Sequence, residues 1–201
     1  LGAGRLKGGA LDAGATYAVH SALNLTVAES LLLGCCPIIV EGPSDQHYLS
    51  AIKNILIQRG KIQPASELVF PPSGGAKTAK IIASILMGRD DALPMVLLDS
   101  DAAGKQAAKS LQDNLYQGVK ERVLLTDDYI KDLTDTEIED LLPAPLLVQV
   151  LDRMERRAQQ DFEDFHDPKK PIVPQIKSWA KNEGFELVEG WKVQLSLGVK
   201  S

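Results

Sequence analysis

The chain has 201 residues, 44% of them hydrophobic and 24% charged, and carries a formal net charge of −5. That length suits one large domain, or a domain with a small appendage, and the ordinary composition excludes a disordered or fibrous chain. The acidic balance excludes a global basic field for nucleic acid, so phosphate binding would have to be local or relayed by cations. The only cysteines, Cys35 and Cys36, are adjacent. No second pair completes a zinc site, and neighbours are badly placed to bridge each other, so both read as small apolar residues in a reducing, cytoplasmic compartment. No apolar run approaches membrane-spanning length. The sequence begins at Leu1 without a signal-peptide layout and is expected to be a piece of something longer.

Residues 1–36 form an N-terminal segment: a loose Gly/Ala-rich start, then a helical stripe through Tyr17, Val19, Leu23, Leu25, Val27, Ala28, Leu31 and Leu32. His20 lies in that helix and reads as structural. Ile38-Ile39-Val40 is a short β-branched run suited to a buried strand, stopped by Gly42-Pro43. Ser44 is placed to cap the next helix, whose apolar face would hold Tyr48, Leu49, Ile52, Ile55 and Leu56, with Gly60 closing it. Glu67–Phe70 is a second strand, stopped by Pro71-Pro72. A helix is expected over 76–87. The run Gly75-Ala76-Lys77-Thr78 before it lacks the first glycine and the Gly-Lys spacing of a P-loop. It reads as a turn whose backbone amides could touch a phosphate.

Pro94–Leu98 is a third apolar strand ending in Asp99-Ser100-Asp101, followed by a helix over 102–115 with Gly104 and Lys105 in its first turn. Arg122–Leu125 is a fourth strand. Strands alternating with helices at this spacing predict an α/β fold: a mostly parallel, Rossmann-like sheet covered on both faces, over 37–142, with right-handed crossovers. After Thr126, Asp127, Asp128, Asp132, Asp135, Glu137, Glu139 and Asp140 crowd together. Residues 143–182 read as a small helical insertion or appendage: a charged helix from Pro145 to about Asp164, a linker at 167–171, and a helix over 172–182. Residues 183–201 read as a last strand pair around Gly190, 185–188 and 192–197, returning to the core.

Three acidic clusters then compete for one place. Glu41 and Asp45 follow the first strand, Asp99 and Asp101 the third, and Glu137, Glu139 and Asp140 the fourth. In a parallel sheet all three lie at the carboxyl edge, where ligands bind. Each has a plain alternative: Asp45 favouring a helix N-terminus, Asp99-Ser100-Asp101 capping a helix, the third cluster a solvated loop. Together, unpaired carboxylates would repel and their pKa values would rise. Divalent cations relieve that conflict, and so many acids suit two ions rather than one.

A strand ending in Glu-Gly with an acid four residues on (Ile38 to Asp45), then a strand ending in Asp-x-Asp (Leu97 to Asp101), resembles the Toprim fold. That fold occurs in topoisomerases, bacterial primases, recombination mediators and nucleases of the OLD (overcoming lysogenization defect) family. The helix from His20 to Leu31 ahead of the Glu-Gly strand resembles the OLD branch. So does Thr136–Pro143 followed by a helical insertion. OLD proteins join an ATPase domain to this nuclease region. No complete P-loop or Walker-B pattern is present, so the chain resembles the C-terminal, class 2-like nuclease region alone, with the ATPase domain and any oligomer contacts lying outside it.

The resemblance implies a DNA endonuclease using two divalent cations, Mg²⁺ or Mn²⁺. Glu41 and Asp45 would ligate one ion, with Asp99 and Asp101 completing or bridging the pair, and Glu137 and Glu139 would hold the second. Asp45 stands where the family often has glutamate. Between Glu139 and Asp140 the sequence does not decide. Lys192, on the expected last strand, is the candidate to stabilise developing charge or help activate water; the alternative is a solvated lysine. Arg153, Arg156, Arg157, Lys169 and Lys170 are the candidates for DNA-backbone contact, each with a solvated face as its alternative. The competing functions are a non-catalytic Toprim module for assembly or DNA binding, and another Toprim enzyme of topoisomerase or primase type.

Overall fold

Short β-branched and leucine-rich runs build the centre of the molecule. The computed structural model describes residues 34–75, 78–87, 93–156 and 158–200. The expected helix at 15–33, with His20, lies outside these residues, as do Ala76, Lys77 and Arg157. Four strands, β1 (Cys35–Ile39), β2 (Glu67–Val69), β3 (Met95–Leu98) and β4 (Val123–Leu125), form one all-parallel sheet in the order β2-β1-β3-β4. Ile38 pairs with Met95, Leu98 with Leu125, and Val40 bridges to Pro72 beyond the end of β1. The connection from β1 goes to one side and that to β3 to the other. The sheet therefore has a topological switch point between β1 and β3, the place where open α/β sheets bind ligands.

Successive strand residues point to opposite faces, and the core divides accordingly. Ile39, Val96, Leu98 and Val123 pack on one face with Ala79 and Ala83 of α2 (Ala79–Met87) and Ala108 and Leu111 of α3 (Ala102–Asp113). Ile38, Leu97 and Leu124 pack on the other. That face is covered by α1 (Pro43–Gln58), α4 (Ala144–Met154), α6 (Ile172–Asn182) and α7 (Trp191–Lys200). The short α5 (Phe162–Phe165) seats Phe162 edge-on against Trp179, ring centroids 5.4 Å apart.

Several expectations change. Residues 143–182 are not set apart: Leu147, Leu151, Ile172, Ile176 and Trp179 share one core with Tyr48 and Leu97. The helix expected from Pro145 to Asp164 stops at Met154, because the chain turns to bury Phe162, whose N–H donates to Asp152 Oδ1 at 2.7 Å. The last strand pair does not exist; Trp191–Lys200 is helical and packs along α1. Trp191, Leu195 and Val199, spaced by four, all join the core, so a helical stripe underlies the apparent alternation. Gly198 permits that packing, since a Cβ there would come within 2.5 Å of Val150 Cγ1. Gly42, not Ser44, is the N-cap of α1, with Pro43 at its first position. Ile55 is exposed rather than on the buried face. Among the described residues, no helix is long and apolar enough to cross a membrane.

Candidate active site

Glu41 leaves the sheet one residue after the Val40 bridge. Its backbone is clamped by the loop after β2: the Gly74 and Gly75 N–H groups both donate to its carbonyl at 3.0 Å, and Ser73 N–H donates to the Val40 carbonyl at 2.8 Å. Of the run expected to offer amides to a phosphate, the Gly75 N–H is instead spent on holding Glu41 in place, and Ala76 and Lys77 lie outside the described residues. Its carboxylate accepts from Asp99 N–H at 3.1 Å, across the switch point between β1 and β3. Burial pushes Glu41 up to about 7, and the charges of Asp101 and Asp45 add to the rise against that hydrogen bond.

Asp45 lies in the first turn of α1 and is buried. It accepts from Gly42 N–H at 2.9 Å and from the Ser44 hydroxyl at 3.1 Å. It is thus both a capping residue and a charge facing the site. Burial still raises its pKa above the usual carboxylate range. Asp99 accepts from Ile138 N–H at 3.0 Å, which ties the end of β3 to the third acidic element. Burial, then the charges of Asp45, Glu41 and Glu139, push it up to about 8, with Lys192 opposing. Asp101 is the N-cap of α3, accepting from Gly104 N–H at 2.7 Å. The capping alternative therefore holds for Asp101, which nonetheless stays close enough to Glu41 to raise its pKa.

The third element separates Glu139 from Asp140. A 3₁₀ turn over Ile138–Leu141 turns Glu139 inward and Asp140 aside. Asp140 accepts from Glu137 N–H at 2.9 Å and from Ile172 N–H at 2.7 Å, tying the turn to the start of α6. Glu139 is 0% exposed, and its Oε1 has no partner among the described residues. Burial pushes it up to about 7, Lys192 opposing and Glu137 and Asp45 adding. Lys192 sits in the first turn of α7, not on a strand. It is ion-paired to Glu137 and lies 3.4 Å from Glu139 Oε2. Burial works against its charge, but Glu139, Glu137 and Asp99 outweigh that and hold its pKa above the usual lysine value.

Sequence reasoning missed the residues that hold this arrangement. Ser100, Thr126 and Thr136 are 0% exposed. Ser100 N–H donates to the Thr136 carbonyl at 2.8 Å, and Thr126 Oγ1 donates to the same carbonyl at 2.7 Å. Asp127, one of the acidic crowd, accepts from the Thr136 hydroxyl at 2.7 Å and pairs with Lys105 at 3.1 Å. Burial would raise its pKa, but the Thr136 and Lys105 donors bring it down to about 2. Asp127 is therefore a structural anion outside the site, and Asp135 likewise pairs with Lys105, at 2.7 Å. Gly104 is required by close approach: a Cβ there would lie 1.9 Å from the Asp99 carbonyl oxygen and 3.3 Å from Glu41 Oε1. The glycine was legible in the first turn of the helix; its neighbours were not.

The basic candidates lie elsewhere. Arg153 and Arg156 line a groove of about 700 Å³ with Gln149, His166 and Pro168, but Asp152, Asp161 and Glu163 line it too, so it is of mixed sign. Lys169 and Lys170 are exposed, Lys170 pairing with Asp167 at 3.1 Å.

Among the described residues, no three histidine, cysteine or carboxylate side chains stand close enough together to hold a cation as they lie. Backbone N–H groups and Lys192 occupy one oxygen on each of Glu41, Asp45, Asp99, Asp101, Glu137 and Glu139. The donor chemistry nevertheless fits a hard divalent cation. It is all oxygen, desolvated and mutually repelling, with one buried carboxylate oxygen unpartnered. The fold and site together define a Rossmann-like α/β domain with a partly buried acidic cluster at its switch point. Comparison with protein-family models, curated proteins and solved structures finds no match to the chain. Any functional reading must rest on the site.

Proposed function

We propose that this chain is the Toprim-type catalytic region of a divalent-metal-dependent DNA endonuclease of the OLD kind. The observation that carries the reading is the hydrogen-bonded link from Glu41 through Asp99 to the Ile138–Glu139 turn at the β1–β3 switch point, with the pKa values of Glu41, Asp99 and Glu139 raised to about 7 or 8. Ionisable groups perturbed by burial and by one another at a ligand-binding edge support a role in holding a cation or in catalysis. Glu41, Asp45, Asp99 and Asp101 would hold one Mg²⁺ or Mn²⁺, and Glu137 and Glu139 a second. Bound divalent cations would supply polarisation of the phosphodiester and a lowered pKa for water.

The chain's own residues supply the rest. The Asp99 and Ile138 backbone N–H groups fix the orientation of the Glu41 and Asp99 carboxylates. Lys192 offsets the negative charge of the third element and would stabilise charge developing on a phosphate oxygen. Arg153, Arg156, Lys169 and Lys170 would meet the DNA backbone, giving affinity without sequence readout.

A non-catalytic Toprim module is the second reading. It is favoured by the Lys192 pairing, which neutralises Glu137 and Glu139 without any cation, and by the capping role of Asp101. Incubation with supercoiled plasmid and Mg²⁺ or Mn²⁺ separates the two. Nicked and then linear product, lost in Glu41→Gln and Asp99→Asn, is expected. No nicking with either metal, or nicking unchanged in both variants, would sink the nuclease reading. Relaxation without nicked product would favour a topoisomerase-like activity.

A further inference from the structure

Two buried side-chain polar atoms have no hydrogen-bond partner among the described residues: the Tyr48 hydroxyl and Glu139 Oε1. One is a donor and the other an acceptor. Both residues are 0% exposed and belong to the same side of the sheet, where Tyr48 packs in one core with Ile138, the neighbour of Glu139. The Tyr48 phenol faces negative charge: after burial, Glu139 and then Asp45 are what raise its pKa. An unmet buried hydroxyl and an unmet buried carboxylate oxygen each destabilise the fold, the charged group more so. Both atoms are buried on one side of the sheet, and a single water bridging them would satisfy the two.

We propose that Tyr48 is a positioning residue of the acidic site, its hydroxyl donating through one buried water to Glu139 Oε1 and fixing the direction in which that carboxylate is presented. This rests on the reading of the site as a cation site, and gives Glu139 the outer partner that metal-ligating side chains need to hold their orientation. Tyr48 lies three residues after Asp45 on α1, so the helix that places one acid also places the hydroxyl that orients another. Tyr48 does not touch substrate in this role. It acts through Glu139.

The test uses Tyr48→Phe, which keeps the ring and its packing, and Glu139→Gln. Tyrosine labelled at Cζ reports the hydrogen-bond state of its phenol by NMR, and the resonance missing from Tyr48→Phe identifies Tyr48 among the four tyrosines. In metal-free protein that resonance is expected to shift in Glu139→Gln. In calorimetry, Mn²⁺ affinity is expected to fall about tenfold or more in Tyr48→Phe, and the same change made on Glu139→Gln is expected to have little further effect. A Tyr48 resonance that ignores Glu139→Gln, or an equal loss of Mn²⁺ affinity from Tyr48→Phe in both backgrounds, overturns the proposal. Wild-type protein that binds no Mn²⁺ would overturn the cation reading instead, and the metal-free NMR arm would still decide the Tyr48–Glu139 link.

Discussion

Replacing Asp99 by asparagine should make the metal-free protein more stable while removing its activity. The replacement is close to isosteric and keeps the oxygen that accepts from Ile138 N–H at 3.0 Å. What it removes is a charge held by burial, and by Asp45, Glu41 and Glu139, at a pKa of about 8 against an ordinary 3.8. Between those two values the folded chain keeps a proton that the unfolded chain has released, so stability falls as pH rises through this window and is flat above it. At about 1.36 kcal/mol per pKa unit the ceiling is about 5–6 kcal/mol. Dielectric relaxation and the shared counter-charge of Lys192 should reduce the realised effect to about 1–3 kcal/mol. For a chain of this size that is a shift in Tm of about 3–10 °C.

The assay is thermal unfolding with a chelator at pH 5 and pH 9. At pH 5, near the lower end of this window, Asp99→Asn should melt only slightly above wild type. At pH 9 the variant should melt higher, and added Mg²⁺ or Mn²⁺ should raise the wild type more than the variant. Equal Tm differences at both pH values would refute the account of Asp99 as a desolvated, mutually repelled carboxylate.

Lys192→Met removes the counter-charge from a fully buried Glu139 and should cost up to about 3–5 kcal/mol. The cost should be larger at pH 9 than at pH 5, where Glu139 can protonate; urea titration at the two pH values checks this. Gly104→Ala gains about 1 kcal/mol of helix propensity but drives a Cβ into the Asp99 carbonyl, 1.9 Å away. A net loss of stability, together with loss of nicking, is expected from paired melting and plasmid assays. Asp140→Asn should lower stability by about 1–2 kcal/mol through its two backbone hydrogen bonds and spare Mn²⁺ affinity, whereas Glu139→Gln should do the reverse; calorimetry on both variants separates them. Arg153→Ala with Arg156→Ala should weaken DNA binding evenly across sequences and lower the salt slope by about 1 per residue, read by fluorescence anisotropy.

The parallel sheet was legible because its signal is local. Ile38-Ile39-Val40 and Val96-Leu97-Leu98 are apolar runs too short for helices and bounded by turn residues, and their alternation with helical stripes leaves few topologies. The placement of Glu41 and Asp99 at one edge follows from that alone, since residues just after parallel strands share an edge whatever else the chain does. The carboxyl-edge acids were readable for the same reason.

The helix over 172–182 was legible too, but the end of the chain was not. In 191–197 a period of two, through Trp191, Val193, Leu195 and Leu197, overlies a spacing of four through Trp191, Leu195 and Val199, and sequence alone cannot choose between them. Packing along α1 and under Val150 chooses the helix, and so puts Lys192 on a helical turn against Glu137 and Glu139. Tertiary structure likewise sorted the acids. Asp127 and Asp135 went to Lys105, Asp140 to the start of α6, and Asp101 to a helix cap, while Glu139 was turned inward. A carboxylate's identity is written in the sequence. Whether it becomes a cap, an ion-pair partner or a strained buried charge depends on which donors the fold brings within reach, and those donors lie up to 58 residues away, as with Asp99 N–H and Glu41.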